Sequence, residues 1–318
     1  MFNSFSQLPN TVEIHNCSLL EMNNRNCSVL DMLLLLLLLD SSWANNRVKR
    51  LSSPYCDEET HEVEKYVVSI RSRRPQIIFG DNHFCVGTII APKFVLTAAK
   101  CTMSQQKVMH LNRTLVVVGG TPNRLKNVDD TVTRRTKNIF VPKNFLKKNT
   151  NNIALLQLYE SWPLNNPSID IIKLPSAEPN NTTQFMVLGW GRFYKGGPLA
   201  GNLVHIKVKL LDRSKCQQII QKLQPEMLCA GNVTGTVDED PCAGDTGGPM
   251  IYNHTIYGLV SYRLGCGQDT MPSIYTDVWY HMDWINETIR NCCCPCLAQA
   301  KLCISLFVLI TLSVWKAI

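Results

Sequence analysis

Signals for helices are scarce in this chain. Only SKCQQIIQKL (Ser214–Leu223) and VWYHMDWINETI (Val278–Ile289) place apolar residues at helical spacing, which argues against an all-α architecture. No apolar run approaches the about 20 residues that a membrane-spanning helix needs. The two candidates, Met32–Leu39 and Leu302–Val314, both stop short. Cysteine and histidine nowhere recur at zinc-ligand spacing, and the motif CCCPC in the tail suits disulfide or lipid chemistry better than a metal. Neither a metal nor another cofactor is expected, and nothing resembles a nucleic-acid-binding module. Charged residues make up only 18% of the chain, yet apolar residues reach 45%, more than a disordered chain carries.

Cysteine, by contrast, is plentiful. Fourteen cysteines accompany Asn-x-Ser/Thr sequons at Asn112, Asn180, Asn181, Asn232, Asn253 and Asn286. Together they point to the secretory route, where disulfides persist and glycans mark exposed loops. MLLLLLLL (Met32–Leu39) followed by DSSWA resembles a signal peptide with cleavage after Ala44, the true start being Met1, Met22 or Met32. The expected organisation is a leader over 1–44, a short segment over 45–50 ending in the dibasic RVKR, a folded domain over 51–290 and a Cys-rich, apolar tail over 291–318. For that tail a soluble product is favoured, with a lipid-anchor signal or palmitoylated cysteines as alternatives. The net charge of +7 gathers in RSRR (Arg71–Arg74), TRRTK (Thr133–Lys137) and KNFLKK (Lys143–Lys148). These runs read as solvated loops, the alternative being attraction to an acidic protein or sulfated glycan.

Between the ends the texture is all-β. KYVVSI, FCVGTII, LVVVGG, QFMVLGWG, LVHIKVKLL and TIYGLVSY are short β-branched and aromatic runs punctuated by Gly, Pro, Asn and Asp. That pattern predicts an antiparallel sandwich or barrel.

CAGDTGGPM (Cys242–Met250), with HFC, LTAAKC (Leu96–Cys101), NNIALLQL, LGWG and YTDVWYHMDWI, resembles the chymotrypsin-like serine protease family over roughly residues 51–290. The resemblance implies two packed six-stranded antiparallel β-barrels, a C-terminal helix and a cleft between the barrels. It also implies the pairs Cys85–Cys101, Cys216–Cys229 and Cys242–Cys266, leaving Cys56 without a family partner. Active members place a histidine, an aspartate and a serine in the cleft, where the histidine takes the serine proton and the aspartate orients the ring. Those positions here are Lys100, Asn152 and Thr246. A free lysine, with a pKa of about 10.4, is protonated near neutral pH and cannot accept a proton. Asparagine cannot stabilise an imidazolium, and a threonine hydroxyl without a base is a poor nucleophile. A Thr246–Lys100 dyad is the catalytic alternative, and it requires a deeply buried lysine.

The resemblance carries further roles. Gly244 and Thr246 supply the backbone donors that bind an oxyanion in active relatives. Asp245 receives the new amino terminus after activation cleavage, here between Arg50 and Leu51. The following LSSP lacks the glycine freedom usual in the family. Asp240 matches the acidic pocket floor of trypsin-like members, but Arg263 and Ser273 stand where glycines line its walls. Arg263 either pairs with Asp240 or points to solvent. His83 and His205 read as packing or hydrogen-bonding residues rather than replacement bases. The resulting expectation is a secreted serine protease homologue without catalysis. Its partners would be extracellular proteins, active serine proteases among them, in a seminal-fluid or immune setting of insect type. A residual hydrolase and a membrane-anchored adhesion or receptor protein are the alternatives.

Overall fold

The computed structural model describes residues 58–104, 108–148, 150–231, 240–262 and 272–293. Six strands form the first closed barrel: β1 (Val67–Ser72), β2 (His83–Ala91), β3 (Phe94–Thr97), β4 (Leu115–Gly119), β5 (Val132–Phe140) and β6 (Ala154–Leu158). Around its wall they run β1-β2-β3-β6-β5-β4. The second barrel contains β7 (Gln184–Gly189), β8 (Val204–Leu210), β9 (Met227–Gly231), β10 (Pro249–Tyr252), β11 (Thr255–Tyr262) and β12 (Ser273–Asp277). Its order is β10-β11-β12-β9-β8-β7, and every named strand pair in both barrels is antiparallel. Closure leaves neither sheet with a free edge. The expected pair of six-stranded barrels is therefore present.

Local chemistry explains the turns. β10 and β11 are joined through Asn253 and His254, both at positive φ (47° and 53°). A two-residue hairpin of this hand matches strand twist, and asparagine tolerates the left-handed region better than most residues. Both expected helices form, over Arg213–Ile219 and Met282–Cys293. The second starts later than the sequence pattern predicts because Asp277 and Val278 enter a turn, in which Tyr280 N–H donates to the Asp277 carboxylate at 3.2 Å. Among the described residues no helix is long and apolar enough to cross a membrane.

The basic runs are solvated loop only in part: Arg73 and Arg74 are exposed outside the strands, and the rest sits in regular elements. Arg71 is a strand residue only 2% exposed, Thr133–Lys137 lies within β5, and Lys143–Lys148 is a short helix. Cys85–Cys101 and Cys216–Cys229 are bridged as expected. Cys242 is disulfide-bonded too, while Cys266, its expected partner, and Cys56 lie outside the described residues.

One buried cluster joins the barrels, combining Val86, Leu96 and Leu155 of the first with Leu188, Ile251 and Leu259 of the second and Ile285 of the C-terminal helix. Polar clips reinforce it. Trp190 Nε1–H donates to the Pro122 carbonyl at 2.9 Å. The buried Arg124 guanidinium donates to Gly80 O on one side and to Ala200 O on the other, each at 2.7 Å. Gly80 sits at φ 85°, and a Cβ there would lie 1.8 Å from the Arg124 carbonyl oxygen. Gly80→Ala is therefore expected to destabilise the chain by about 2 kcal/mol or more, through backbone strain and displacement of the Arg124 segment. Equilibrium denaturation measures this, and an unchanged midpoint would contradict the close approach.

Candidate functional site

The loop from Asp240 to Gly248 packs against β2 and the turn after β3 at the junction of the barrels, where the resemblance puts the cleft. The carboxylate of Asp245, only 2% exposed, accepts from Gly191 N–H at 2.6 Å and from Cys242 N–H at 2.9 Å. A Cβ on Gly189 or Gly191 would lie 2.0 or 2.2 Å from its carboxylate oxygens, so the glycines of LGWG are the space this side chain occupies. The neighbouring peptides are fixed in turn. Arg192 N–H holds the Ala243 carbonyl and Gly248 N–H holds the Asp245 carbonyl, both at 2.8 Å. A trans peptide points its N–H opposite its C=O. The N–H groups of Gly244 and Thr246 are thereby aimed away from those bonds, and neither donates to an acceptor within the described residues.

Gly244, at φ 103°, is steadied from behind by His83. Arg71 Nε–H donates to Ser69 Oγ at 2.8 Å, which frees the Ser69 hydroxyl proton for His83 Nδ1, also at 2.8 Å. The ring proton is then on Nε2 and donates to the Gly244 carbonyl at 3.1 Å. Burial drives the His83 pKa down to about 3, so the ring is a neutral donor at physiological pH. Arg71 Nη2 donates to the Arg124 carbonyl at 2.9 Å, connecting this chain to the clip between the barrels. Arg71 was not legible as buried from its basic run, and Arg124 lies in none of those runs. The alternation of Ser69 and Arg71 on β1 was the available signal, since residues two apart share a strand face.

Lys100 lies in the short 3-10 turn Ala99–Thr102 after β3, with its side chain exposed. Its backbone N–H donates to Asn152 Oδ1 at 2.8 Å. Because a backbone N–H only donates, this contact fixes the orientation of the amide. Asn152 Nδ2 then donates to Ser261 Oγ on β11 at 2.7 Å, while Thr276 Oγ1 donates to the Asn152 carbonyl at 2.9 Å. Asn152 is buried and engaged at both ends of its amide. Its neighbour Asn151, at φ 58°, has its side-chain amide 3.0 Å from Nε2 of His281 and gives its own N–H to Glu226. The start of the C-terminal helix thus holds the loop that carries Asn152.

Thr246 is half-buried, and its carbonyl accepts from Val86 N–H of β2 at 2.9 Å. Gly247 beside it is packed so tightly that a Cβ would lie 2.2 Å from Thr97 Oγ1 and 3.0 Å from Ala98 N. The Lys100 turn and the Thr246 loop are therefore brought together across the barrel junction. No hydrogen bond joins the Thr246 hydroxyl to Lys100 or Asn152.

At the pocket position, Asp240 is buried and accepts from the Ser273 hydroxyl. The sequence identified both residues but not their direct bond. Arg263, Arg50 and Leu51 lie outside the described residues, as does Asn232. Asn180, Asn181, Asn253 and Asn286 are exposed as their sequons require. Asn112 is half-buried, with Nδ2 donating to the Lys137 carbonyl at 2.7 Å. His205 is buried, its Nδ1 2.8 Å from Thr60 Oγ1. No group of residues able to hold a metal occurs among the described residues.

Two closed antiparallel barrels with a cleft of this construction define a class of protein, and the comparisons with known proteins agree. The family described as Trypsin matches residues 56–285. Trypsin eta of Drosophila melanogaster is 31% identical over 226 residues, covering 70% of this chain and 82% of that protein. Snake venom serine protease 1 of Craspedocephalus gramineus is 34% identical over 221 residues, or 65% and 78% of the two chains. Serine protease 1 of Homo sapiens is 30% identical over 209 residues, or 65% and 80%. The chain belongs to the trypsin family of serine proteases and their homologues.

Two outcomes test this geometry. Asn152→Ala strips partners from the half-buried Lys100 N–H and the buried Ser261 hydroxyl, and should cost about 1–3 kcal/mol in denaturant unfolding. Loss of less than a few tenths would contradict the network. His83 makes stability depend on pH, because the folded chain keeps the ring neutral down to about 3 while the unfolded chain protonates it below about 6.5. Its contribution is complete above about 6.5 and falls as pH drops, by up to about 1.4 kcal/mol per unit. Asp277 has the opposite sign: burial raises its pKa to about 6, so its contribution falls as pH rises from about 4 to 6. Subtracting the stability profile of His83→Gln from that of the parent isolates the histidine. The difference should rise with pH over this window, and a flat difference would contradict the buried neutral ring.

Proposed function

We propose that this chain is a secreted, non-catalytic trypsin homologue that acts by binding other extracellular proteins. The observation that carries this reading is Lys100. An exposed ammonium stands at the position of the expected general base, and its backbone is tied to an amide rather than a carboxylate. A proton acceptor beside the Thr246 hydroxyl is what nucleophilic catalysis requires, and among the described residues no hydrogen bond gives it one. The alternative in which Lys100 activates Thr246 needs a lysine deprived of water, and the exposure of this side chain opposes it.

The frame, meanwhile, is intact: both barrels close, and the Asp245 loop is fully braced. A frame kept without its chemistry favours a cofactor, scaffold or regulator, with active serine proteases among the candidate partners. Exposed Arg73, Arg74, Arg135 and Lys137 offer contacts to acidic surfaces or sulfated glycans. Exposed sequons support passage through the secretory route. A reproductive fluid or an immune cascade is the proposed setting.

The test is hydrolysis of a peptide library by the purified chain, before and after cleavage at Arg50, beside Thr246→Ala. Turnover is expected to stay at the level of that variant. Turnover abolished by Thr246→Ala would overturn the proposal and make Lys100 a catalytic base. A membrane-anchored receptor on the same fold is distinguished by its retention on membranes after a high-salt wash, whereas the secreted form is recovered in the medium.

A further inference from the structure

We propose that the cleft is a receptor for a carboxylate, namely the free C-terminal carboxylate of a bound peptide. The inference rests on the non-catalytic reading above and names the ligand of the same site. Four donors lie on two segments packed together at the barrel junction: the N–H groups of Gly244 and Thr246 and the Thr246 hydroxyl on one, and the exposed Lys100 ammonium on the other. Among the described residues none has an acceptor or carboxylate partner. The two backbone donors are pre-aimed because their peptide carbonyls are pinned by Arg192 and Gly248. His83 holds the peptide between these two donors by the Gly244 carbonyl. Donors fixed in this way bind an anion without reorganising.

Charge decides which ligand suits them. A histidine-aspartate pair with a neutral ring would place one negative charge beside the donors, whereas Lys100 and Asn152 place one positive charge there. The net change is two charges. The nearest carboxylate in the loop does not compete, because Asp245 turns its oxygens inward to Gly191 and Cys242. An intact peptide bond offers this site a neutral carbonyl, and a peptide end offers a full negative charge with two acceptor oxygens. Charge-assisted hydrogen bonds are about twice as strong as neutral ones. The substitutions that remove a base therefore favour a cleaved chain end over an uncut substrate. A protein carrying this site would recognise the products of other proteases.

The experiment presents the purified chain with N-acetylated tetrapeptides of mixed sequence, ending either in a free carboxylate or in an amide. Retained peptides are identified by mass spectrometry. The best is then titrated calorimetrically against the parent, Lys100→Gln and Lys100→Arg, with thermal unfolding confirming that each variant folds. Free-acid peptides should bind at least tenfold more tightly than their amides. Lys100→Gln should remove most of that preference and Lys100→Arg should keep it. Equal binding of acids and amides, or a preference unaffected by Lys100→Gln, would overturn the proposal. Sodium sulfate binding as tightly as the best peptide would also overturn it, by showing an oxyanion site without peptide recognition. Peptide cleavage, scored in the same samples, would refute the non-catalytic reading separately from the carboxylate preference.

Discussion

The buried carboxylate of Asp245 is the fixed point of this cleft. Withdrawn from water, it needs hydrogen bonds to offset its desolvation, and backbone N–H groups of Gly191 and Cys242 supply two of them. Those contacts fold the chain between Cys242 and Gly248 into a loop whose carbonyls face inward and whose Gly244 and Thr246 N–H groups do not. The glycines at 189 and 191 matter for the same reason, since any side chain there would displace the carboxylate. Catalytic side chains play no part in this bracing. The frame of the cleft and its reactive groups are separable, and substitutions at Lys100, Asn152 and Thr246 can leave the frame standing.

A second set of constraints reaches the same loop from the first barrel. Arg124 clips the segment before β2 to the loop before β8, Arg71 holds the Arg124 carbonyl, and Ser69 passes the contact to His83 and Gly244. Both guanidiniums are buried against carbonyl and hydroxyl oxygens rather than carboxylates, and burial holds both pKa values below the usual arginine range. Arginine remains charged there, since the Arg71 value is still about 10. The apolar cluster shared by the barrels supplies bulk adhesion, and this polar chain fixes its register.

Much of this was legible in the sequence because its determinants are local. Alternating β-branched runs announced the strands, and the motif residues of CAGDTGGPM and LGWG lie within a few positions of the groups they serve. The disulfides and the positions of Lys100, Asn152 and Thr246 followed from resemblance, not from spacing alone. The rest depends on contacts distant in sequence. Arg71 and Arg124 lie 53 residues apart, and arginines are ordinarily exposed, so their burial could not be read from the local sequence. Ser273 bonds Asp240 across 33 residues, and the orientation of the Asn152 amide is set by a backbone N–H 52 residues away. Such pairings are products of barrel closure.

The proposed loss of catalysis then lies in the side chains at 100, 152 and 246 alone, on a backbone held in place without them. Its most direct test is ester hydrolysis by Lys100→His/Asn152→Asp/Thr246→Ser, using a small activated ester that makes little demand on the specificity pocket. Turnover absent from the parent, and lost again when the restored serine position is changed to alanine, is the expected result. A revertant that folds with parental stability yet shows no turnover would contradict it, because the backbone donors could not then be in place.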